Sequence, residues 1–225
     1  ADPLTDLKKN LVATLRVIAL ARAARARIVF ASSAAIYGDG PLPSHESLTP
    51  RPASPYGIHK LASEHHLRAA ALNDPAGGLE AVALRFFNVY GPRQSPSSPY
   101  AGVISIFLAR ALAGEALTLF GGGVATRDFV YVGDVARAIL AAIDGPVGDG
   151  EALNVGGGAS TSVRTLAETI VAITRSTSGL REAPARAGEV VDSRADVTRI
   201  AERLGWRAAV PLAAAHVDGK NFRLD

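Results

Sequence analysis

Tyr56 and Lys60 are the pair with the clearest capacity for chemistry. In Tyr56-Gly-Ile-His-Lys60 a phenol and an ammonium stand four residues apart, which in a helix places them one turn apart on one face. A cation beside a phenol favours the phenolate and lowers a pKa that starts near ~10, as a general base working at neutral pH requires. Chance alone supplies this spacing in about one such chain in ten, so the surroundings decide. Ser32 and Ser33, in Ser32-Ser-Ala-Ala-Ile-Tyr37-Gly38, follow the apolar run Arg27-Ile-Val-Phe-Ala31. A serine turn after a strand is common. Open α/β sheets, however, bind ligands at the carboxyl ends of their strands, and this hydroxyl stands ahead of the Tyr-Lys segment.

Secondary structure must deliver these groups to one place. Leu7, Leu11, Leu15 and Ile18 recur at three- and four-residue spacing, which predicts an amphipathic helix to about Ala24. Residues 27–31 then read as a buried parallel strand ended by the two serines. Prolines at 41, 43, 50, 52 and 55 exclude regular structure between Gly38 and Pro55. Ser54 as N-cap and Pro55 at the first helical position start a helix that runs to about Leu72, where Asn73-Asp74-Pro75 ends it. Further strands are expected at 79–86, 117–120, 128–131 and 152–155, and further helices at 103–113, 135–143 and 163–174. Gly121-Gly-Gly123 and Gly156-Gly-Gly158 read as turns. Strands alternating with helices imply right-handed crossovers and a mostly parallel sheet, an α/β class. The elements shorten after about Arg93, which marks residues 1–92 as one domain and 93–225 mainly as a smaller lobe with segments returning to the first.

Composition removes several classes. The 225 residues are 48% hydrophobic and 20% charged, an ordinary globular balance. Cysteine is absent, which excludes a disulfide framework, a thiolate zinc site and a catalytic cysteine. The net charge of +3 is concentrated early, in Lys8, Lys9, Arg16, Arg22, Arg25 and Arg27. This is the solvated face of a helix more simply than a nucleic-acid patch, so no nucleic-acid partner is expected. No stretch reaches the ~18 apolar residues of a membrane span, and a cytoplasmic protein is expected. His65 and His66 are adjacent, so they point apart on a helix, and no catalytic metal is expected.

Two longer segments carry a resemblance. Arg85-Phe-Phe-Asn88-Val-Tyr-Gly-Pro-Arg93-Gln and Thr126-Arg127-Asp128-Phe-Val-Tyr-Val-Gly-Asp134, in order after Ser33, Tyr56 and Lys60, resemble the extended short-chain dehydrogenase/reductase superfamily and, within it, the NAD-dependent epimerase/dehydratase family. The resemblance runs from about Asn10 to Trp206. It implies a Rossmann-type doubly wound sheet with a smaller C-terminal α/β substrate lobe, NAD as cofactor, a UDP-sugar as substrate and a homodimer built through the Leu7–Ala24 and Tyr56 helices. By the same resemblance Tyr56 is the base, Lys60 holds the nicotinamide ribose, and Ser33 bonds the reacting sugar oxygen. Asn10, Ser32 and Phe86 lie beside the dinucleotide. Asn88, Arg127 and Arg186 grip the diphosphate, where arginine suits phosphate oxygens. Thr118 and Phe120 flank the nucleobase, and Ser193 faces the sugar 2-substituent.

The implied reaction is epimerisation at C4 of UDP-glucose and UDP-galactose by transient oxidation, with room at Ser193 for UDP-N-acetylhexosamines. Dehydratases of the family carry an Asp-Glu pair after the hydroxyl residue, where this chain has Ala34-Ala35. Decarboxylating relatives want an acid in that loop, and epimerase-reductases use a cysteine. One feature departs from the pattern: no strand and glycine-rich turn for the cofactor pyrophosphate precede Asn10, so the chain is expected to be part of a longer protein. The alternatives are another dehydratase or reductase of the family, a non-catalytic dinucleotide sensor, which would be expected to lose the Ser-Tyr-Lys set, and a cofactor-less fragment.

Overall fold

The computed structural model describes residues 2–73, 79–97, 102–186 and 191–212, with the backbone of 216–218 and 221–223. The chain opens as one long helical stretch, α1 (Pro3–Leu7) and α2 (Ala13–Ala24), joined by a π turn over Lys8–Val12. The helix begins before the periodic leucines because a cap specifies its first turn. The Asp2 carboxylate accepts from the Thr5 N–H at 2.8 Å, and Pro3 occupies the first helical position. Next come β1 (Ile28–Ser33), α3 (Pro55–Leu72), β2 (Ala81–Phe86), β3 (Asn88–Tyr90), α4 (Val103–Leu112), β4 (Leu117–Phe120), β5 (Thr126–Arg127) and β6 (Phe129–Tyr131). They are followed by α5 (Val132–Asp144), β7 (Asp149–Val155), β8 (Thr161–Ser162), α6 (Val163–Thr174), β9 (Leu180–Ala183) and α7 (Thr198–Leu204).

The main sheet is parallel, in the order β1-β2-β7. Ala31, Ser32 and Ser33 pair with Leu84, Arg85 and Phe86, so the serines belong to the strand they were expected to end. Ladder pairing overrides the turn preference of serine here. Residues 81–84 are all buried, as a strand covered on both faces requires. Ala81 joins Ile18, Ile28, Leu67 and Ala70 in a core beneath α2 and α3. Val82 and Leu84 face the other way, into a core with Val135, Ala138, Ile200 and Trp206 from α5, α7 and the segment after it. Arg27 fastens the start of β1 to that second layer. Its guanidinium donates to the carbonyls of Ala142, Ile143 and Gly145 at 2.7–3.0 Å, capping α5, and pairs with Glu80 at 2.8 Å.

The remaining strands form small pairs, β3 with β6 and β4 with β9 parallel, β5 with β8 antiparallel, and a terminal antiparallel pair of 216–218 with 221–223. Leu117 and Leu119 of β4 pack with Phe107, Leu108, Leu166 and Ile170 between α4 and α6. The proline-rich stretch 38–54 contains no helix or strand and is joined to the rest at several points, among them a bridge from Ser44 to Ala195 and bonds from Asn154 to Ser44 and Glu46. α3 ends as expected at Leu72, with Asn73 Nδ2 donating to the Ala69 carbonyl at 2.8 Å; Asp74 and Pro75 lie outside the described residues. Among the described residues no helix is long and apolar enough to cross a membrane.

Candidate active site

Tyr56 and Lys60 come from the first turns of α3, which is started by its sequence. The Ser54 hydroxyl accepts from the Gly57 N–H at 3.2 Å, and Pro55 fills the first helical position. Gly57 allows this turn to press onto the end of β1, since a β-carbon there would lie 2.7 Å from the Ala35 carbonyl oxygen. Ser33 closes β1, and its hydroxyl oxygen accepts from the Ala35 N–H at 3.1 Å to begin a tight turn over Ala34–Ile36. Lys60 Nζ donates to the Ala31 carbonyl at 2.8 Å and stands 5.5 Å from the centre of the Tyr56 ring. Burial pushes the lysine below its usual pKa, with the Asp6 carboxylate opposing the change.

Three cavities meet around Arg127. The first, about 700 Å³, is lined by Asn10, Tyr56, Asn88 and Arg127. The second, about 300 Å³, is lined by Ser33, Phe86, Asn88, Arg127 and Ser193 among others. The third, about 430 Å³, has Arg110, Arg127, Arg181 and Arg186 in its wall together with Thr118 and Phe120. Arg186 stacks on Phe120 with its guanidinium carbon 3.8 Å from the ring centre. Arg110 and Arg181 were not anticipated. They converge on Thr118 Oγ1 at 3.0 and 3.2 Å from a helix and a strand that no local spacing relates. Four guanidinium groups around one cavity are suited to a polyanion.

Asn10 sits in the π turn with Nδ2 donating to Asp6 Oδ1 at 3.1 Å, and His59 Nδ1 lies 2.6 Å from the same oxygen. Ser32, by contrast, lines none of the three cavities. It is buried, and its hydroxyl donates to Glu64 of α3. Glu64 pairs with Arg85 at 2.7 Å, Arg85 donates to the Tyr37 hydroxyl at 2.9 Å, and Tyr37 donates to Asn154 Oδ1 at 2.7 Å. Burial pushes the Tyr37 pKa up to about 12 against the pull of Arg85, so it remains a phenol at neutral pH and can make both bonds. Glu46 Oε1 accepts from the Asn154 backbone N–H at 2.8 Å.

Another buried carboxylate ties together the loops that flank Arg127. Asp128, next to Arg127, accepts from the backbone N–H groups of Gly157 at 2.6 Å, Gly158 at 3.0 Å and Ala195 at 2.8 Å. Desolvation raises its pKa to about 6 despite those three donors. Ser193 is held by its own backbone, which accepts from Ser160 at 3.1 Å and donates to Thr126 Oγ1 at 3.4 Å. The interval from Arg186 to Ser193, on which the expected role of Ser193 depends, crosses 187–190, outside the described residues. His65 and His66 are exposed, and among the described residues no group of three or more His, Cys, Asp or Glu could hold a metal ion.

The family model described as NAD dependent epimerase/dehydratase family matches residues 1–156. The chain is 40% identical over 216 residues to the UDP-glucose 4-epimerase of Mycolicibacterium smegmatis, covering 94% of this chain and 67% of the relative. It superposes with a TM-score of 0.88 on the crystal structure of UDP-glucose 4-epimerase with UDP-glucose from Thermotoga maritima, at 38% identity over 94% of this chain and 68% of that one. With the UDP-N-acetylglucosamine 4-epimerase from Methanobrevibacter ruminantium, in complex with UDP-N-acetylmuramic acid, the TM-score is 0.86 at 32% identity, over 92% of this chain and 66% of that one.

Proposed function

Because the chain belongs to the NAD dependent epimerase/dehydratase family, we propose that it interconverts UDP-sugars epimeric at C4, UDP-glucose and UDP-galactose first among them. One observation carries this reading. Arg127 lines the cavity of Tyr56, the cavity of Ser33 and the arginine-walled cavity alike, so a proton-transfer site and a polyanion site open onto one side chain. In this reading Tyr56 takes the proton of the sugar 4-hydroxyl, and the neighbouring Lys60 charge favours its phenolate. The Ser33 hydroxyl bonds the reacting oxygen. Asn88, Arg127 and Arg186 hold the diphosphate, with Thr118 and Phe120 against the nucleobase.

The residues around Tyr56 suit the nicotinamide-ribose half of NAD: Asn10 lines its cavity and offers an amide, and Lys60, 5.5 Å from the Tyr56 ring centre, offers an anchored ammonium, while Phe86 supplies an aromatic wall from the adjoining Ser33 cavity. Bound there, NAD would supply reversible hydride acceptance at the sugar carbon. Ala34 and Ala35 line the Ser33 cavity, whose acidic lining residue is Asp192, and Asp192 Oδ1 accepts from Thr126 Oγ1 at 2.7 Å. That arrangement supports epimerisation over dehydration, which needs a further acid/base pair beside the sugar. The same reading places the dinucleotide against residues 1–92 and the nucleotide sugar between them and 93–225. It also makes the enzyme a homodimer through α2 and α3, where Leu15, Leu20, Ile58 and Leu72 are exposed.

Incubation of the full-length protein with NAD and UDP-galactose, followed by chromatography of the sugars, tests the activity. UDP-glucose should accumulate, and Tyr56→Phe should lower turnover at least ~10²-fold with substrate affinity retained. No interconversion by the wild type, or undiminished turnover in the variant, would sink the reading.

A further inference from the structure

The place beside the dinucleotide expected of Ser32 and the bond it makes point in different directions. Its neighbour Ser33 opens onto a cavity, whereas Ser32 is turned into the protein, 3% exposed, with its hydroxyl donated to Glu64. Glu64 lies one helical turn beyond Lys60 and two beyond Tyr56, on the same helix. Its carboxylate is in turn held by Arg85 of β2 through Nε at 3.1 Å and Nη2 at 2.7 Å, and Glu64 and Arg85 are both buried. The bond from Ser32 thus joins the end of β1 directly to the helix that carries the base. The same helix also approaches at Gly57, where a β-carbon would lie 2.7 Å from the Ala35 carbonyl oxygen, and at Lys60, whose Nζ donates to the Ala31 carbonyl at 2.8 Å.

We propose that Ser32 is a positioning residue, not a ligand of the dinucleotide: its bond to Glu64 fixes the end of β1, and with it the Ser33 hydroxyl, against the Tyr56 helix. This rests on the epimerase reading for the roles of Ser33 and Tyr56. Geometry alone gives the reason. A hydrogen bond from one residue to α3, with the adjacent residue facing the substrate cavity, converts the helix-to-strand spacing into the spacing between hydroxyl and base. Reacting groups are sensitive to such spacing, a displacement near 1 Å being able to lower turnover about 10²-fold. The Arg85 pair keeps the Glu64 acceptor from moving, so the restraint is rigid at both ends.

Ser32→Ala in the full-length protein tests the assignment, with Ser32→Thr, which keeps the hydroxyl, beside it. For Ser32→Ala, kcat should fall about tenfold or more while KM for UDP-galactose and the dissociation constant of NAD, followed by fluorescence titration, stay within about twofold of wild type. Ser32→Thr should recover most of kcat. A tenfold weaker affinity for NAD in Ser32→Ala would make Ser32 a cofactor ligand and overturn the proposal. Unchanged kcat would overturn it equally, and so would a large fall in melting temperature with parallel loss of both affinities, since the bond would then hold the fold and not the geometry. Should the wild type fail to interconvert UDP-sugars, the functional reading falls, while the NAD titration still decides whether Ser32 touches the cofactor.

Discussion

Gly57 and Ala35 approach so closely that a methyl group on the glycine would come within 2.7 Å of the alanine carbonyl oxygen. The first turn of the Tyr56 helix is thereby seated on the turn that follows Ser33. Gly57→Ala should push the two apart because the obstructing atom is backbone and cannot swing away. Turnover should drop at least tenfold, with a stability loss of about 1–3 kcal/mol from the overpacking. Activity assays with thermal melts check both; wild-type turnover in this variant would mean that the contact sets nothing.

Arg186 lies over Phe120 in the arginine-walled cavity. Charge-assisted bonds to phosphate are worth ~1.5–3 kcal/mol, so Arg186→Ala should weaken UDP-sugar binding about 10- to 100-fold and leave kcat at saturation nearly unchanged. Calorimetric titration reads the affinity. Equal affinities in the two proteins would place the diphosphate elsewhere.

Ser193 lines the Ser33 cavity, and its backbone is tied on both sides to Ser160 and Thr126. A larger side chain there has little freedom to be carried away. The wild type should therefore accept UDP-N-acetylglucosamine, and Ser193→Tyr should exclude it while retaining UDP-glucose, since steric exclusion by one residue outweighs the ~1–3 kcal/mol typical of added contacts. The ratio of kcat/KM on the two sugars is the measurement, and an unchanged ratio would rule out Ser193 as the gate.

Asp128 makes stability depend on pH in an unusual direction. Its pKa is about 6 in the folded chain against 3.8 as the ordinary value, so between these limits the folded state holds the extra proton and this group favours folding more as pH falls. Above about pH 6 the buried carboxylate is charged and its contribution is at its least favourable. The span corresponds to roughly 3 kcal/mol. Relative to Asp128→Asn, which has no such titration, the wild type should gain stability from pH 7 to pH 4 in denaturant melts. A constant difference between the two proteins across that range would contradict the raised pKa.

What could be read from residue order was what local rules govern. The Ser54-Pro55 cap predicted α3 with its observed ends, and α6 was expected over its observed 163–174. The reach of β1 through Ser33 was hidden because serines usually stop strands, and only pairing with residues 84–86 overrides that. β3, β8 and β9, with two to four residues each, and α7, without a side-chain cap, carry too little pattern to be seen. In the candidate site, Tyr56 and Lys60 were legible because a helix relates them. The meeting of Arg110 with Arg181 at Thr118, and of Ser32 with Glu64, depends on how distant elements pack.

The strand order of the main sheet also has a consequence for synthesis on the ribosome. β2 can pair with β1 as soon as Phe86 is available, but its other edge waits for Asp149–Val155, roughly 60 residues later. At about 5–20 residues per second that interval lasts several seconds. Until β7 arrives, Val82 and Leu84, fully covered in the finished fold, lack their partners on that strand, and until Val132–Asp144 has been made they lack the α5 layer as well. The nascent chain therefore presents an open apolar strand to whatever binds such edges, and the window closes only when the carbonyls of Ala142, Ile143 and Gly145 reach Arg27 and β7 docks.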